Sequence, residues 1–363
     1  MRALKGKTFN NVNVVVMIDG FNNGSSRYVN ALTGETQSLG EVNTGAVRTL
    51  RDFVVWAKTN YPAQHYYLSI ADHGRGTQGI AYDDSNRKDF LSPTEVERAL
   101  REATAGAWKF DILHYDACTM GMLEDAYQVR DLADYFIAYE NLGWSVFAYQ
   151  TYAPILERGG TTGDIAVGIA QAYHLALPKN PNNVSAVDLS KVEQVRERLD
   201  DLSVELMRVL PTQRNTIVAA RKATQKFDST DFLYLTTADE YSDLRHFAEQ
   251  VALLVPDAQV KTRAQVLMAA IDEYVLISYN MSGQMYGQGY SVYNDLSHSS
   301  GVAIYLPNGS TSQEYRPYCD DELFTMTADS SWDEFLDSLW LTYGVRGQTD
   351  ILPPEIPPML LID

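Results

Sequence analysis

The sequence has little of what stabilises or anchors many secreted and membrane proteins. Its 363 residues include two cysteines, Cys118 and Cys319, which lie far apart and do not form the spaced pattern of a disulfide framework. No apolar run approaches membrane-spanning length, and the first 11 residues lack the apolar segment of a signal peptide. We therefore expect a soluble chain with no membrane partner and no export signal. Its location stays unknown, since secretion remains open if an upstream segment is missing.

Basic residues are also scarce. The chain carries 29 lysines and arginines against 47 aspartates and glutamates, a formal net charge of −18. A protein with this balance repels the phosphate backbone, so a nucleic-acid partner is not expected. The same charge favours cationic substrates or partners.

The spacing typical of a dedicated metal site is missing as well. None of the histidines forms a His-Glu-x-x-His motif or another paired zinc spacing. Two acidic clusters, at residues 83–84 and 320–322, lack the regular spacing of a calcium loop. We expect no cofactor and no metal, with calcium at these clusters kept as the alternative.

What the sequence does contain is an apolar segment that runs into a cysteine. Residues 110–115 are short and largely apolar, the pattern of an inner strand, and Met122, Ala126 and Val129 then recur at helical spacing. This pattern predicts a helix starting near residue 119, with Cys118 at its first turn, where free N–H groups and the helix dipole favour a thiolate. The alternative is that Cys118 is a small buried apolar residue.

A second candidate residue follows an earlier strand. Residues 12–18 and 65–71 read as strands with a helix at 49–58 between them, and the second strand ends in Asp72-His73-Gly74. This order predicts an α/β fold with a mostly parallel sheet and helices on both faces. Because ligands of such sheets gather at the carboxyl ends of the strands, His73 and Cys118 are expected at one edge.

These residues suit nucleophilic catalysis. A cysteine that attacks a carbonyl group needs a nearby imidazole, for which His73 is the candidate. The developing oxyanion needs preset donors, and the backbone N–H groups of Gly74 and Cys118 are the obvious pair. Asp116 would select a cationic side chain in the adjoining pocket, or alternatively cap the following helix.

The motifs resemble those of the clostripain family of cysteine peptidases, relatives of caspases and gingipains. ADHGRG at residues 71–76, YDACTMGMLEDAY at 115–127 and Gly143-Trp144 carry the resemblance, which covers residues 10–310. It implies a caspase-like α/β/α sandwich and a thiol protease with His73 and Cys118 as its dyad. It further implies that Asp116 and Trp144 bind the substrate, a peptide or protein cut after arginine or lysine.

The resemblance also implies autoprocessing, because several relatives mature by cutting a loop between the two dyad residues. Residues 83–89 are polar and are expected to form an exposed loop, with Arg87 and Lys88 as the basic residues that such an enzyme cuts after. We therefore expect cleavage after Arg87 or Lys88. The alternative is an ordinary surface loop.

Two departures from the family weaken the expected activity. Relatives usually begin with an extra strand before the one at residues 12–18, so an open sheet edge or an incomplete cleft is expected here. Residues 145–147, Ser-Val-Phe, lack the further acid that relatives often place near the pocket for the basic residue. The alternative function is therefore a catalytically silent caspase-like binding or scaffold protein.

The second half of the chain is expected to form additional structure around this core. Helical stripes at residues 192–209 and 247–279 lead to a glycine- and tyrosine-rich hairpin at 283–293. A strand at 302–306 and a helix at 332–343 follow. We predict a caspase-like catalytic core at residues 1–225 and a C-terminal accessory region at 226–363 that partly completes it.

Overall fold

The computed structural model describes residues 3–20, 24–229, 235–287, 290–319 and 324–340. The strands are β1 Val15–Ile18, β2 Ser26–Asn30, β3 Thr36–Gly40, β4 Tyr67–Ala71, β5 Ile80–Asp83, β6 Asp89–Leu91, β7 Phe110–Asp116, β8 Ala133–Ala138, β9 Asn182–Asp188, β10 Lys226–Phe227, β11 Tyr241–Asp243, β12 Val275–Met281, β13 Gly283–Gly287, β14 Tyr290–Asn294 and β15 Ala303–Tyr305. The helices are α1 Val47–Asn60, α2 Pro93–Thr104, α3 Leu123–Gln128, α4 Tyr149–Arg158, α5 Thr162–Leu175, α6 Val192–Ala223, α7 Leu244–Leu254, α8 Ala258–Tyr274, α9 Tyr315–Tyr318, α10 Thr325–Asp329 and α11 Trp332–Trp340.

A five-stranded sheet forms the centre of the molecule, in the order β12-β9-β8-β7-β4. Strands β4, β7 and β8 are parallel, whereas β9 and β12 are antiparallel to their neighbours. The sheet is therefore mixed, and its parallel half contains the two strands that precede His73 and Cys118. Parallel neighbours need a crossover connection, which α2 supplies between β4 and β7.

Helices cover both faces of this sheet because successive side chains of a strand point to opposite sides. On β7, Leu113 and Tyr115 join the core packed against α1, α2, α6, α7 and α8. The side chain of Ile112 points to the opposite face of the sheet and belongs to a second core built with α4 and α5. The predicted α/β/α sandwich is confirmed.

The first strand does not join the central sheet, contrary to the order inferred from the sequence. β1 pairs antiparallel with β2, and β2 with β3, in a separate three-stranded sheet. A short connection lets consecutive strands pair antiparallel, whereas the parallel arrangement requires a crossover. Among the described strands β4 therefore has β7 as its partner and forms one edge of the central sheet.

The C-terminal half contributes directly to this architecture. β12 is the other edge strand of the central sheet, and the expected hairpin forms as β13 and β14. The predicted strand near residue 302 is present as β15, which pairs with β11. The backbone N–H of Ala303 on β15 donates to the Gly121 carbonyl oxygen at 2.8 Å. The predicted helix at 332–343 is observed as Trp332–Trp340, and the rest of it lies outside the described residues. The domain boundary at 225 stays a prediction.

The helices show local signals that explain where they start. α2 begins with a complete capping box, in which the Ser92 hydroxyl accepts from the backbone N–H of Glu95 and the Glu95 carboxylate accepts from the Ser92 N–H, and Pro93 occupies the first turn.

None of the helices in the described ranges combines the length and the apolar composition needed to cross a bilayer.

Candidate active site

The strand register brings the two predicted dyad residues to the same sheet edge. Ala71 on β4 is aligned with Asp116 on β7, so His73 and Cys118 each lie two residues beyond aligned positions. Their loops are packed together: a Cβ added to Gly74 would lie 2.5 Å from the carbonyl oxygen of Cys118. Glycine is required here because no side chain fits between the two loops.

The half-buried His73 ring is held in an environment that favours its neutral form. Burial lowers the pKa of the imidazole, and the nearby Asp84 carboxylate opposes this only in part. The backbone N–H of His73 donates to the Asp72 carboxylate at 2.7 Å, which fixes the chain next to the ring. A neutral imidazole can accept a proton, as a general base must.

The Cys118 thiol is buried, with 7% of the residue exposed, and lies against Gly143. The N–H of Gly143 donates to Sγ at 3.3 Å, and Sγ lies 3.6 Å from the Gly143 carbonyl oxygen. Burial raises the pKa of the thiol to about 11, with Asp228 and Asp116 contributing, while the Gly143 N–H acts in the opposite direction. The raised pKa favours the protonated thiol, and in the described ranges no hydrogen bond joins Sγ to the His73 ring.

The predicted helix start at residue 119 is wrong. Thr119 has φ +55°, and α3 begins only at Leu123 and is six residues long. Gly121 packs against the residues that directly follow β8. A Cβ added to Gly121 would lie 2.8 Å from the Tyr139 carbonyl carbon, and this close approach keeps the chain around Gly121 out of a helix. Cys118 thus lies in a turn before the helix and gains no helix-dipole stabilisation, consistent with its high pKa.

Two backbone donors are available near the thiol. The N–H groups of Gly74 and Cys118 donate to no other residue in the part of the chain that the structure describes. The neighbouring amides are used: Arg75 donates to Gly79 and Thr119 to Asn141. The N–H of Cys118 does act on its own sulfur, because it lowers the pKa of the thiol. The assignment of both groups as oxyanion donors stays a prediction.

Asp116 lies among tyrosines on the α4 side of β7. Its carboxylate accepts hydrogen bonds from the hydroxyls of Tyr139 at 2.6 Å and Tyr149 at 2.8 Å, and the residue is 5% exposed. The alternative reading of Asp116 as a helix cap is wrong, because α3 has Met122 at its N-cap and no side-chain cap. Nearby, Nδ1 of the buried His114 lies 2.7 Å from the Tyr67 hydroxyl oxygen.

Trp144, predicted to bind substrate, is 8% exposed and belongs to the same apolar cluster as Cys118. Its indole N–H donates to the Pro181 carbonyl at 2.7 Å, and its backbone N–H donates to the Tyr173 hydroxyl at 2.8 Å. These bonds anchor the Gly143 segment against the thiol. Trp144 thus shapes the wall of the site, and its contact with substrate stays a prediction.

Sequence reasoning missed two residues near the thiol, Asn141 and Asp228. The carbonyl of Asn141 accepts from the Thr119 N–H at 2.8 Å, and its Oδ1 accepts from the Asp228 N–H at 2.9 Å. Asp228 follows β10 and is 3% exposed. No local sequence motif indicates either residue, because segments that are distant in the sequence bring them close to Cys118.

The expected autoprocessing loop is a tight hairpin turn between β5 and β6. Arg87 and Lys88 are exposed and have φ values of +64° and +59°, and the Asp89 N–H donates to the Asn86 carbonyl at 3.3 Å. Two consecutive left-handed residues and this bond define a type I′ turn, which strongly favours Asn-Gly. Arg-Lys is therefore a strained pair at this position.

A carboxylate cluster lies close to that turn. Single oxygen atoms of Asp19, Glu41 and Asp83 all lie within 4.8 Å of one another. Burial raises the pKa of Asp19, and the charges of Glu41 and Asp83 add to the increase. Such oxygen donors are those that calcium prefers. Of the two predicted calcium clusters, the one at residues 83–84 contributes Asp83 alone, and the one at 320–322 lies outside the described residues.

Comparisons with known proteins agree with this geometry. A family profile described as the clostripain family matches residues 3–340. Clostripain of Hathewaya histolytica is 25% identical over 367 residues, which cover 86% of this chain and 65% of the relative. The chain thus spans about two thirds of the length of this curated relative.

Two solved structures share the fold. An inactive zymogen C11 protease from Parabacteroides distasonis superposes with a TM-score of 0.67 at 20% identity, over 90% of this chain and 91% of that one. A secreted C11 cysteine protease from Bacteroides thetaiotaomicron, solved with an irreversible peptide inhibitor, gives 0.65 at 19% identity, over 87% and 88%. The fold is that of the caspase-like cysteine proteases. Within this class, the chain belongs to the clostripain family.

Proposed function

We propose that the protein is a cysteine endopeptidase that cleaves peptides and proteins after arginine or lysine. The observation that carries this proposal is the register of β4 and β7, which delivers an imidazole, a thiol and a buried carboxylate to one sheet edge. Membership of the clostripain family supports it. The net charge of −18 favours basic substrates.

In the proposed reaction the neutral His73 ring removes the Cys118 proton as Sγ bonds to the substrate carbonyl carbon. The π electrons move to the carbonyl oxygen, where the N–H groups of Gly74 and Cys118 donate to the oxyanion. Collapse of this intermediate breaks the C–N bond, and the imidazolium gives its proton to the leaving amine. His73 then deprotonates a water that attacks the thioester, and the thiol regains its proton as the acid product leaves.

The resting geometry supports a precursor that requires activation. The thiol is neutral and bonded to Gly143, without a hydrogen bond to the His73 ring in the described part of the chain. One structural relative is described as an inactive zymogen. We propose that cleavage of the turn between β5 and β6 brings the ring and the sulfur into hydrogen-bond contact.

Self-processing after Arg87 or Lys88 is supported by the exposure and strain of both residues. Residues held in sparsely populated backbone conformations often lie at functional sites. The strained conformation of Arg87 and Lys88 is therefore consistent with a role in processing. The test is incubation of purified wild type, Cys118→Ala and an Arg87→Ala/Lys88→Ala double variant, followed by mass analysis of fragments. Equal fragmentation of all three would remove the self-cleavage proposal.

The peptidase proposal is tested with fluorogenic arginine and lysine peptides. We expect turnover by the processed protein and its loss in Cys118→Ala and in His73→Ala, with Cys319→Ala as a matched control that retains activity because Cys319 lies outside the proposed site. Labelling of Cys118 by a peptidyl electrophile with a basic residue adds a test of the pocket. Turnover that survives both dyad substitutions would contradict the mechanism.

The second candidate is a catalytically silent binding or scaffold protein. It is favoured by the buried, protonated thiol and by the missing ring–sulfur hydrogen bond within the described ranges. A processed protein that binds basic peptides without turnover and without Cys118 labelling would support it. The proposed dyad chemistry uses no metal, and the oxygen cluster around Asp83 is where calcium would bind if it stabilises the fold.

A further inference from the structure

The Asp116 carboxylate is buried without a cationic partner among the residues that the structure describes. Its two oxygens accept from the Tyr139 hydroxyl at 2.6 Å and the Tyr149 hydroxyl at 2.8 Å. None of the ion pairs in the described ranges includes Asp116. A buried acid needs either a cation or hydrogen-bond donors, and here the donors are two neutral tyrosines.

A chain of hydrogen bonds continues from Tyr139 away from Asp116. The Tyr139 hydroxyl oxygen lies 3.2 Å from Nε2 of His114, and the Tyr67 hydroxyl oxygen lies 2.7 Å from Nδ1 of the same ring. Because the single Tyr139 proton is donated to Asp116, the Tyr139 oxygen can only accept from His114, so Nε2 carries the ring proton. In a neutral ring Nδ1 is then an acceptor, to which Tyr67 donates. Every proton along this chain points towards Asp116.

The imidazole of His114 supplies its donor without a positive charge. The residue is fully buried, and burial lowers the pKa of the ring, while the Asp116 charge opposes this. The other rings that face it are Tyr67 on β4, Tyr139 after β8 and Tyr152 on α4. Burial raises the pKa of all three hydroxyls, so none of them is charged at neutral pH. A protonated imidazole would instead cancel the charge that attracts a basic substrate residue.

We infer that Tyr139 and His114 are positioning residues, which hold the Asp116 carboxylate in place for the cationic group of the substrate and leave its negative charge intact. This inference rests on the proposed endopeptidase function. Each carboxylate oxygen has about two lone pairs, so one tyrosine donor on each oxygen leaves an acceptor site for a guanidinium or ammonium group.

Tyr139 also connects this acid to the nucleophile. A Cβ added to Gly143 would lie 2.7 Å from Cδ2 of the Tyr139 ring, and the Gly143 N–H donates to the Cys118 sulfur. The ring therefore packs against the segment that touches the thiol, while its hydroxyl holds Asp116. One side chain thus fixes the proposed substrate-binding acid relative to the nucleophile.

The inference is tested with processed wild type and Tyr139→Phe on two peptides that differ only in arginine or citrulline before the scissile bond. Phenylalanine retains the stacking of this ring on Tyr173 and removes only the hydroxyl. We expect kcat/KM for the arginine peptide to fall about tenfold, mainly through KM, with a change of about threefold or less for citrulline. Tyr135→Phe removes a hydroxyl near the amino end of β8 and is the matched control, which should keep wild-type values.

Two substitutions of the ring extend this test. His114→Gln places an amide N–H near the position of Nε2 and should retain most of the arginine preference, whereas His114→Met has no donor and should lose about threefold to tenfold of it. An unchanged ratio of arginine to citrulline cleavage in Tyr139→Phe, or equal losses on both peptides, would overturn the inference while leaving the peptidase intact. A wild type that cuts neither peptide overturns the proposed function, and the inference with it.

The state of the ring is measured without turnover by ¹⁵N NMR of histidine-labelled protein in a Cys118→Ala background. The His114 signals are those that disappear in His114→Gln. We expect a neutral ring with its proton on Nε2 between about pH 5 and 8. A proton on Nδ1, or a protonated ring within this range, would overturn the inference even in an active enzyme.

Discussion

At the scale of single residues, the candidate site favours the protonated form of the Cys118 thiol. Burial and two acids raise the pKa of Cys118, while burial lowers the pKa of His73. Both shifts favour the neutral pair over a thiolate–imidazolium pair. The reactivity of the free protein should therefore be low near neutral pH.

The first prediction concerns this reactivity in the unprocessed protein. The alkylation rate of Cys118 by iodoacetamide should rise continuously with pH through the alkaline range, because the thiol pKa is about 11 and the thiolate is the reacting form. Rates are measured by mass spectrometry between pH 5 and 10, with His73→Ala as the comparison. A rate plateau below pH 7 that disappears in His73→Ala would show a preformed ion pair instead.

A second residue prediction concerns the loop contact. Gly74→Ala should reduce activity strongly and destabilise the protein by about 1–3 kcal/mol, since its Cβ would lie 2.5 Å from the Cys118 carbonyl oxygen. Urea unfolding and peptide turnover measure the two effects. Gly163→Ala, whose Cβ would meet atoms at 3.4 Å or more, is the control and should keep both properties. Wild-type behaviour of Gly74→Ala would contradict the close packing of the two loops.

At the scale of elements, the hairpin of β5 and β6 carries backbone strain. The turn at Arg87 and Lys88 uses residues that its backbone conformation disfavours. The strand ends, by contrast, are tied together by buried polar contacts, such as those that Glu140 makes with Asn183 and Gly301. Their energetics can be tested separately.

Replacing the strained turn should stabilise the protein. Arg87→Asn/Lys88→Gly fits the type I′ turn and should raise the free energy of unfolding by about 1 kcal/mol. It also removes both proposed cleavage sites, so the fragments should disappear. Urea unfolding of this variant in a Cys118→Ala background separates stability from processing. A loss of stability, or persistent fragments in the active background, would contradict the prediction.

The buried pair of Glu140 and Asp243 predicts a pH dependence of stability. Burial raises the pKa of both carboxyl groups, and the neighbouring Asp243 raises that of Glu140 further. A carboxyl group with a raised folded-state pKa stabilises the fold below its unfolded pKa, and this contribution is lost as pH rises through the folded value. Unfolding free energy should therefore fall from pH 5 to 9.

The check for this pair is Glu140→Gln, which retains a hydrogen-bonding group but does not ionise. The decline in unfolding free energy between pH 5 and 9 should be smaller in this variant than in wild type, whereas exposed Glu102→Gln should follow wild type. Parallel pH profiles for Glu140→Gln and wild type would show that the pair does not titrate on unfolding.

At the scale of the whole molecule, the catalytic sheet and the C-terminal residues form a single packed structure in the described ranges. β12 pairs with β9 along the central sheet, and α7 and α8 pack on α6. Asp228, whose charge contributes to the raised Cys118 pKa, also comes from beyond residue 225. The C-terminal region therefore completes both the core and the proposed site.

A fragment of residues 1–225 should consequently fail to unfold cooperatively. Without the later segments, β9 loses one of its two antiparallel neighbours, β12, and buried α6 residues such as Leu199 and Leu206 lose part of their packing. Near-UV circular dichroism and urea titration measure this, and a co-expressed fragment of residues 226–363 should restore the transition. A cooperative transition of the first fragment alone would establish an independent N-terminal domain.

Much of this architecture can be predicted from short stretches of sequence. The strands β4 and β7 show in their apolar runs, and the motifs around His73 and Cys118 indicate the family. The helix start near residue 119 was predicted wrongly. The apolar residues there do recur at helical spacing, but the contact of Gly121 with the residues directly after β8 prevents a helix from starting before Leu123. Local pattern carries no information about such a contact.

By itself the sequence determined the α/β class, the family and the candidate dyad, because these depend on periodicity and on motifs of adjacent residues. Only the tertiary structure decided which strands share the central sheet, that the thiol precedes its helix and is buried so that its pKa is raised, and that Asn141 connects Asp228 to the turn of Cys118. The physical reason is that burial, backbone strain and the field of a distant carboxylate arise from segments that meet only after the chain has folded.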